Sequence, residues 1–222
     1  MNFLIFNLIL AVLPALLLLI YFYGKDSRKR EPVGLIIQTF LLGFAIVIPA
    51  ALAEIALSGF EHGMNHHVVL LFRAFIIAGL VEEGAKYMAV RYFLLPNRNF
   101  DEITDGIVYT ITLSLGFALF ENILYSGGSA SVLLIRGVTA VPLHAAASGI
   151  MGYYLGYSKM CSKPLFGRGL FWAVFVHGLY DYLLFTGTFF AWLVLPLLAG
   201  ALVTVHRLYK KAQEDDQLRG YS

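Results

Sequence analysis

Two adjacent carboxylates and a lysine lie in the middle of an apolar stretch of the sequence. Glu82, Glu83 and Lys86 interrupt the run from Val68 to Leu95, which at about 28 residues is long enough to cross a lipid bilayer. Each such charge at the centre of a membrane helix costs roughly 2.5 to 3.5 kcal/mol on insertion scales. On a helix Lys86 can reach either glutamate, but it can neutralise only one of them. The other glutamate therefore predicts partners on other helices and a functional role, with a self-neutralised ion pair as the alternative.

Further polar residues that could take part in this chemistry occur in three later apolar segments. They are Glu121 and Asn122, then Arg136 and His144, and then His177 and Asp181. The four-residue spacing of His177 and Asp181 puts them on one helix face, where the carboxylate can fix the tautomer of the imidazole. Arg136 is expected at the depth of Glu121 and can pair with it across helices. Counting 1.5 Å per residue places the acids and imidazoles roughly 8 to 21 Å below one membrane surface, so they are predicted to share an interior pocket.

This set of side chains permits several kinds of chemistry. A glutamate in an apolar site can act as general base and then as general acid, while a histidine orients the water. Carboxylates and imidazoles can instead hold zinc with an open water position, and the candidate ligands would be Glu83, Glu121, His144 and His177. The same carboxylates could carry protons or cations through a transporter, and a non-catalytic scaffold is a third alternative. The residues alone indicate a membrane-embedded site that handles water or protons.

Composition and the positions of the basic residues define the fold class. Of the 222 residues, 59% are hydrophobic and only 14% are charged, whereas soluble domains carry about 25% charged residues. The chain is therefore predicted to be an all-α, polytopic transmembrane helix bundle that forms one domain over residues 1–222. Its seven predicted spans are 3–23, 33–57, 68–95, 103–126, 131–156, 169–186 and 188–206. The basic residues outside the spans lie in or next to every second connection between spans, or in the C-terminal tail. Because cytoplasmic loops of membrane proteins carry an excess of Lys and Arg, this pattern predicts an external N-terminus and a cytoplasmic C-terminus.

Several other functions and features are disfavoured by the sequence. No stripe of Lys and Arg with interleaved aromatic residues is present, so nucleic acid is not a predicted partner. Cys161 is the single cysteine, which excludes an internal disulfide framework. Basic residues follow the first apolar segment and do not precede it, which favours a retained helix over a cleaved signal peptide. The tail from Lys210 to Ser222 is polar and of mixed charge, and it is predicted to be a solvated end.

Five short motifs occur in order between Glu82 and Asp181. They are Glu82-Glu83-x-x-Lys86, the run from Phe100 to Tyr109 that contains Asp105, Ser114-Leu-Gly-Phe117-x-x-x-Glu121-Asn122, Arg136 with His144, and His177-x-x-x-Asp181. In this order and at these intervals they resemble the PrsW family of bacterial intramembrane proteases, which is related to the CAAX-prenyl-endopeptidase and bacteriocin-processing superfamily. The prenyl-endopeptidase branch has histidine and asparagine where this chain has Glu121 and Asp181, so the resemblance does not extend to prenylated substrates.

The resemblance implies a reaction, a location and roles for the site residues. Glu82, Glu83 and His177 would be catalytic. Either glutamate could be the base, and the reaction could proceed with or without zinc. The residues that would support the site or bind the substrate are Glu121, His144, Asp181, Asn122, Lys86 and Arg136. The substrate would be a single-span membrane protein cut near the extracytoplasmic face, such as an anti-sigma factor at its first cleavage in a stress response. The protein would lie in the bacterial cytoplasmic membrane, with the lipid bilayer and its substrate as partners.

Overall fold

The computed structural model describes residues 3–25, 29–187 and 189–220, which form helices and connecting turns without any strand. The α-helices are α1 (Phe3–Lys25), α2 (Val33–Ser58), α3 (His66–Leu71), α4 (Val81–Ala89), α5 (Ile103–Leu124), α6 (Ala130–Val138), α7 (Ala140–Cys161), α8 (Phe166–Phe185) and α9 (Val194–Arg219). Two π-helical segments, Phe72–Leu80 and Val90–Leu94, join α3 and α4 into one rod over residues 66–94. Thr139 alone separates α6 from α7, so these two helices count as one rod, which is broken at that residue. These described ranges therefore contain seven helical rods in the order that the sequence predicts.

Five of the described rods are long and apolar enough to cross a membrane. They are Phe3–Lys25, Val33–Glu61, Ile103–Gly127, Ala130–Cys161 and Phe189–Arg219. The chain is thus a multi-pass membrane protein, as its composition predicts. The other two predicted spans, 68–95 and 169–186, correspond to the rod 66–94 and to α8. These are the segments that carry the two glutamates with Lys86 and the His177–Asp181 pair.

Two predicted elements differ from the observed ones. The fifth span, predicted as one helix, is broken at Thr139, which has φ −122° and ψ −64°. Pro142 follows three residues later and has no N–H to donate to the carbonyl of the preceding turn, so the helix cannot continue regularly through this point. The last span, predicted to begin at Thr188, starts outside the described residues, and its helix continues to Arg219.

The solvated tail predicted from Lys210 onwards is wrong in its first part. Asp216 is 1% exposed, and its carboxylate accepts the backbone N–H groups of Ile103 at 2.7 Å and Thr104 at 2.9 Å. The N–H groups of a helix's first turn have no partner within the helix, so a carboxylate from elsewhere in the chain satisfies them well. The end of α9 therefore packs against the start of α5 and belongs to the folded core.

Helix α5 is the centre of the bundle and is buried on all sides from Ile103 to Leu119. It approaches α2 and α7 through glycines. A Cβ added at Gly43 of α2 would lie 1.8 Å from the Leu113 carbonyl oxygen, and one at Gly152 of α7 would lie 2.2 Å from the Gly106 carbonyl oxygen. Small residues at such positions let membrane helices pack backbone to backbone. This close packing fixes α5 and α7, which carry Glu121 and His144.

Candidate active site

Glu82, Glu83 and Lys86 lie on α4, between the two π-helical segments. Such segments widen a helix locally and occur often at functional sites. The Lys86 ammonium lies 2.8 Å from Glu83 Oε1 and 3.5 Å from Glu82 Oε2, which confirms that this lysine reaches both carboxylates. It also lies 4.2 Å from the centre of the Phe117 ring, on whose face a cation is favoured.

Glu83 is completely buried and has three donors around it. Besides Lys86, the Ser148 hydroxyl donates to Glu83 Oε2 at 2.9 Å, and Nδ1 of His177 lies 3.0 Å from Oε1. Ser148 was not predicted from the sequence. Its position four residues after His144 could have identified it, because that spacing puts both residues on the same face of α7. Glu83 therefore has its partners within the protein and is held rigidly.

The two histidines face each other, with ring centres 4.8 Å apart. The predicted contact of His177 with Asp181 is present, at 3.3 Å from Nε2. His144 reaches Glu121 through Nε2 at 3.0 Å and Lys86 through Nδ1 at 3.0 Å. Each imidazole thus has a carboxylate at the nitrogen that points away from Glu82: Glu83 at Nδ1 of His177, and Glu121 at Nε2 of His144.

Contacts of Arg136 and Asn122 connect Glu121 to helices α6 and α1. Arg136 Nη2 lies 2.7 Å from Glu121 Oε1, which confirms the predicted pairing across helices. Its Nε donates to Asn122 Oδ1 at 2.8 Å, and the Asn122 amide reaches the carbonyl of Ala11 at 3.5 Å. The chain of contacts from α1 through α5 and α6 to His144 includes each of these predicted supporting residues.

A cavity lies beside this network. Its volume of about 630 Å³ is within the usual range for ligand pockets. It is formed where α2, α5 and α8 end and where α6 and the rod 66–94 begin. Glu82, Glu121, Arg136 and Asp181 line it, together with Glu54 and an apolar set of side chains. Glu83, Lys86, His144 and His177 are not part of its wall. Of the two adjacent glutamates, only Glu82 therefore faces space that a substrate can occupy.

Glu82 also groups with the two histidines as a set of metal-binding donors. Their ligand atoms lie within 4.8 Å of one another, and Glu82 Oε2 is 3.9 Å from both His144 Nδ1 and His177 Nε2. Tetrahedral zinc with bonds near 2.0–2.1 Å needs ligands about 3.4 Å apart, so the three side chains must come closer together to bind it. This set differs from the predicted ligands: in the described residues Glu82 is the carboxylate grouped with His144 and His177, and Glu83 and Glu121 lie on the far sides of the imidazoles.

The donor chemistry of this set fits zinc. Metal-binding histidines usually have a carboxylate on the nitrogen that does not face the metal, and Glu121 and Glu83 lie 3.0 Å from His144 and His177 in that position. The Lys86 ammonium lies 3.0 Å from His144 Nδ1 and 3.5 Å from Glu82 Oε2, so it must move away from these two donor atoms when zinc binds.

Comparisons with known proteins find a family and relatives that match most of this chain. Residues 31–205 match the family model described as PrsW family intramembrane metalloprotease. The chain is 38% identical over 186 residues to the protease PrsW of Geobacillus kaustophilus, an alignment covering 81% of this chain and 80% of the relative. It is 33% identical over 192 residues to the protease PrsW of Bacillus subtilis, covering 84% and 86% of the two chains. No solved structure matches the chain significantly.

The family match spans the site from Glu82 to Asp181 and most of the helices that position it. The alignments cover at least four fifths of each of these two relatives, so they extend over most of the chain and not over a single motif. The chain belongs to the PrsW family of intramembrane metalloproteases.

Proposed function

We propose that this protein cuts a peptide bond of a single-span membrane protein near the extracytoplasmic face of the bacterial cytoplasmic membrane. The main support is the position of Glu82, which lies on a cavity wall beside two imidazoles in a chain of the PrsW family. A membrane-spanning anti-sigma factor, cut at its first cleavage site, is the substrate class that the resemblance in sequence suggests. Family membership favours hydrolysis over the alternative of proton or cation transport by the same carboxylates.

Glu82 is the proton carrier in this proposal. Its Oε2 faces the two histidines, whereas its Oε1 accepts no hydrogen bond within the described part of the chain and is available to a water in the cavity. Oε1 takes a proton from that water as its oxygen attacks the carbonyl carbon of the substrate. It then gives the proton to the amide nitrogen that leaves, which completes hydrolysis with no net change in the protein.

The remaining site residues position the reacting groups. Glu83 holds Nδ1–H of His177, and Glu121 holds Nε2–H of His144, so the second nitrogen of each ring turns towards Glu82. Arg136 keeps Glu121 in place and Asn122 keeps Arg136 in place. Asp181 adds a carboxylate beside His177 at the edge of the cavity.

Glu82, His144 and His177 are also the residues that would hold a zinc ion. When bound there, zinc supplies a water of lowered pKa and a positive charge for the developing oxyanion. Elemental analysis of the purified protein tests this assignment without reference to activity. We expect bound zinc in the wild type and its loss in His144→Ala and His177→Ala, while His206→Ala, a histidine on α9 at the other end of the bundle, retains it. Equal zinc content in all four proteins would contradict the assignment.

Cleavage by the purified full chain tests the proposed base. Single-span membrane proteins, including anti-sigma factors, are reconstituted with it in liposomes, and the products are identified by mass spectrometry. Glu82→Gln should lower the rate at least about a hundredfold, as expected for loss of a general base. Glu214→Gln, the same change at an exposed carboxylate of α9, should leave the rate unchanged. Cleavage by Glu82→Gln at the wild-type rate would exclude Glu82 as the base.

A further inference from the structure

Glu54 is a carboxylate of the cavity to which the proposed hydrolysis assigns no task. It lies on α2, one turn before Ser58, is half-buried, and lines the same cavity as Glu82. Within the described ranges its side chain forms no hydrogen bond and no ion pair. An ionisable group inside a membrane protein is costly unless it is paired. A group without a partner in the protein is therefore a candidate to receive one from a ligand.

The other charged groups of the cavity wall differ from Glu54 because each has a partner. Arg73 donates to Glu61 through two nitrogens, at 2.6 Å from Nη2 to Oε2 and 2.8 Å from Nε to Oε1. The remaining pairs are Arg136 with Glu121 at 2.7 Å, Lys86 with Glu82 at 3.5 Å, and His177 with Asp181 at 3.3 Å. Glu54 is thus the exception among the acidic residues that line this cavity.

The charge balance of the cavity favours a cation. Five carboxylates line it against two guanidinium groups, and the ammonium of Lys86 behind the wall is closest to Glu83, which does not line it. Negative charges in a cleft with low-dielectric walls reinforce each other and attract positive groups. A positive group entering this cavity would find Glu54 as its free counter-charge.

The apolar part of the wall indicates the shape of that group. The apolar side chains that line the cavity include Ile55, Ile77, Val132, Ile135 and Leu184. Lysine and arginine side chains match such a surface, since they pack an apolar stem against hydrophobic groups and place the charge at its end. We propose that Glu54 binds a lysine or arginine side chain of the substrate close to the scissile bond. This inference rests on the proposed function, because it makes Glu54 a determinant of substrate choice in the same cavity.

Model substrates with one variable residue test the inference. Each has a membrane segment of about 20 apolar residues and an outer flank in which Lys, Gln or Glu is placed at each position in turn. The purified full chain in liposomes should cleave the best Lys substrate at least about tenfold faster, in kcat/KM, than its Gln counterpart, as expected for a charge-assisted contact. In Glu54→Gln this ratio should fall to about one, and in Glu54→Lys the Glu substrate should become the preferred one. Glu214→Gln should keep the wild-type ratio.

Binding to the Glu82→Gln variant gives a readout that does not need cleavage. Fluorescently labelled Lys substrate should bind this variant more tightly than the Gln substrate, and a second change, Glu54→Gln, should remove the difference. Cleavage with no preference, or with a preference that survives Glu54→Gln, would overturn the role of Glu54 and leave the proposed protease reaction intact. Preferential binding by a wild-type chain that cleaves none of these substrates would have the opposite meaning. It would support the Glu54 contact and overturn the proposed reaction.

Discussion

Glu82 and Glu83 are neighbours in sequence but have different surroundings, because successive residues of a helix point about 100° apart. Glu83 points between α7 and α8 and contacts Ser148 and His177. Glu82 points towards the cavity, and its Oε2 lies 3.9 Å from His144 Nδ1 and from His177 Nε2. One glutamate is therefore suited to exchange protons with water, and the other to hold a histidine in position.

The ion pair of Glu83 with Lys86 should be detectable as a coupling in stability. Both side chains are completely buried, and removing one member of a buried pair leaves the other charge uncompensated, at a cost of about 3–5 kcal/mol. Glu83→Gln and Lys86→Met should each lower the thermal unfolding temperature in detergent. The double variant should lose clearly less than the sum of the two, because neither Glu83 nor Lys86 is then left charged without the other. Strictly additive losses would show that the two residues do not stabilise each other.

The contacts within one helix could be predicted from the sequence, and those between helices could be predicted only in part. Lys86 with the two glutamates and His177 with Asp181 follow from spacings of three and four residues. The pairing of Arg136 with Glu121 was accessible because two opposite charges at one depth have few other partners. The contact of Ser148 with Glu83 depends on how α7 is rotated against α4. No residue count gives that rotation, so this partner of the site was missed.

At the scale of helices, the residues that position the site are mainly glycines of α5 and its neighbours. Gly43 and Gly116 bring the backbones of α2 and α5 into direct contact, and Gly106 with Gly152 does the same for α5 and α7. Glu54, Glu121 and His144 project from these three helices. The separation of the helices therefore sets the width of the cavity and the distance between the groups at its wall.

Enlarging one of these glycines should disturb both stability and activity. In Gly43→Ala the new methyl group would start 1.8 Å from the Leu113 carbonyl oxygen, so α2 and α5 must move apart. Overpacking of this kind costs typically 1–3 kcal/mol or more, and the thermal unfolding temperature and the cleavage rate should fall together. The matched control is Gly34→Ala on the same helix, where no atom lies within 4 Å. A Gly43→Ala protein as stable as this control would contradict the packing described for α2 and α5.

The sequence predicts the order and approximate bounds of the helices better than it predicts which of them qualify as membrane spans. The rod 66–94 and α8 were predicted as spans, yet they are absent from the segments that qualify by length and apolarity. The reason is that they carry the charges of the site, which lower their hydropathy, and that π-helical turns divide the rod. The break at Thr139 and the length of α9 depend on tertiary contacts, including that of Asp216 with the start of α5, and apolar periodicity contains no information about them.

At the scale of the whole molecule, the two ends of the bundle differ in their charged contacts. The cavity and the two arginines at its wall lie at one end. At the other end Lys29 binds Asp101 at 2.8 Å, Lys25 lies 3.1 Å from His206, and Asp216 caps α5. Most of the basic residues outside the helices gather at this second end, which by the positive-inside rule is expected to face the cytoplasm. The cavity would then open towards the extracytoplasmic half of the membrane, where the proposed cleavage takes place.

Cys161 offers a direct test of this orientation. It is the single cysteine of the chain, it ends α7 at the basic end of the bundle, and it is partly exposed. A maleimide that cannot cross membranes should label the wild-type protein in inside-out vesicles and not in right-side-out vesicles. In a Cys161→Ser background, Gly127→Cys should show the reverse, because Gly127 is exposed in the turn between α5 and α6 at the cavity end. Labelling of Cys161 from outside would invert the bundle and place the candidate active site in the cytoplasmic half, where cleavage near the outer face could not occur.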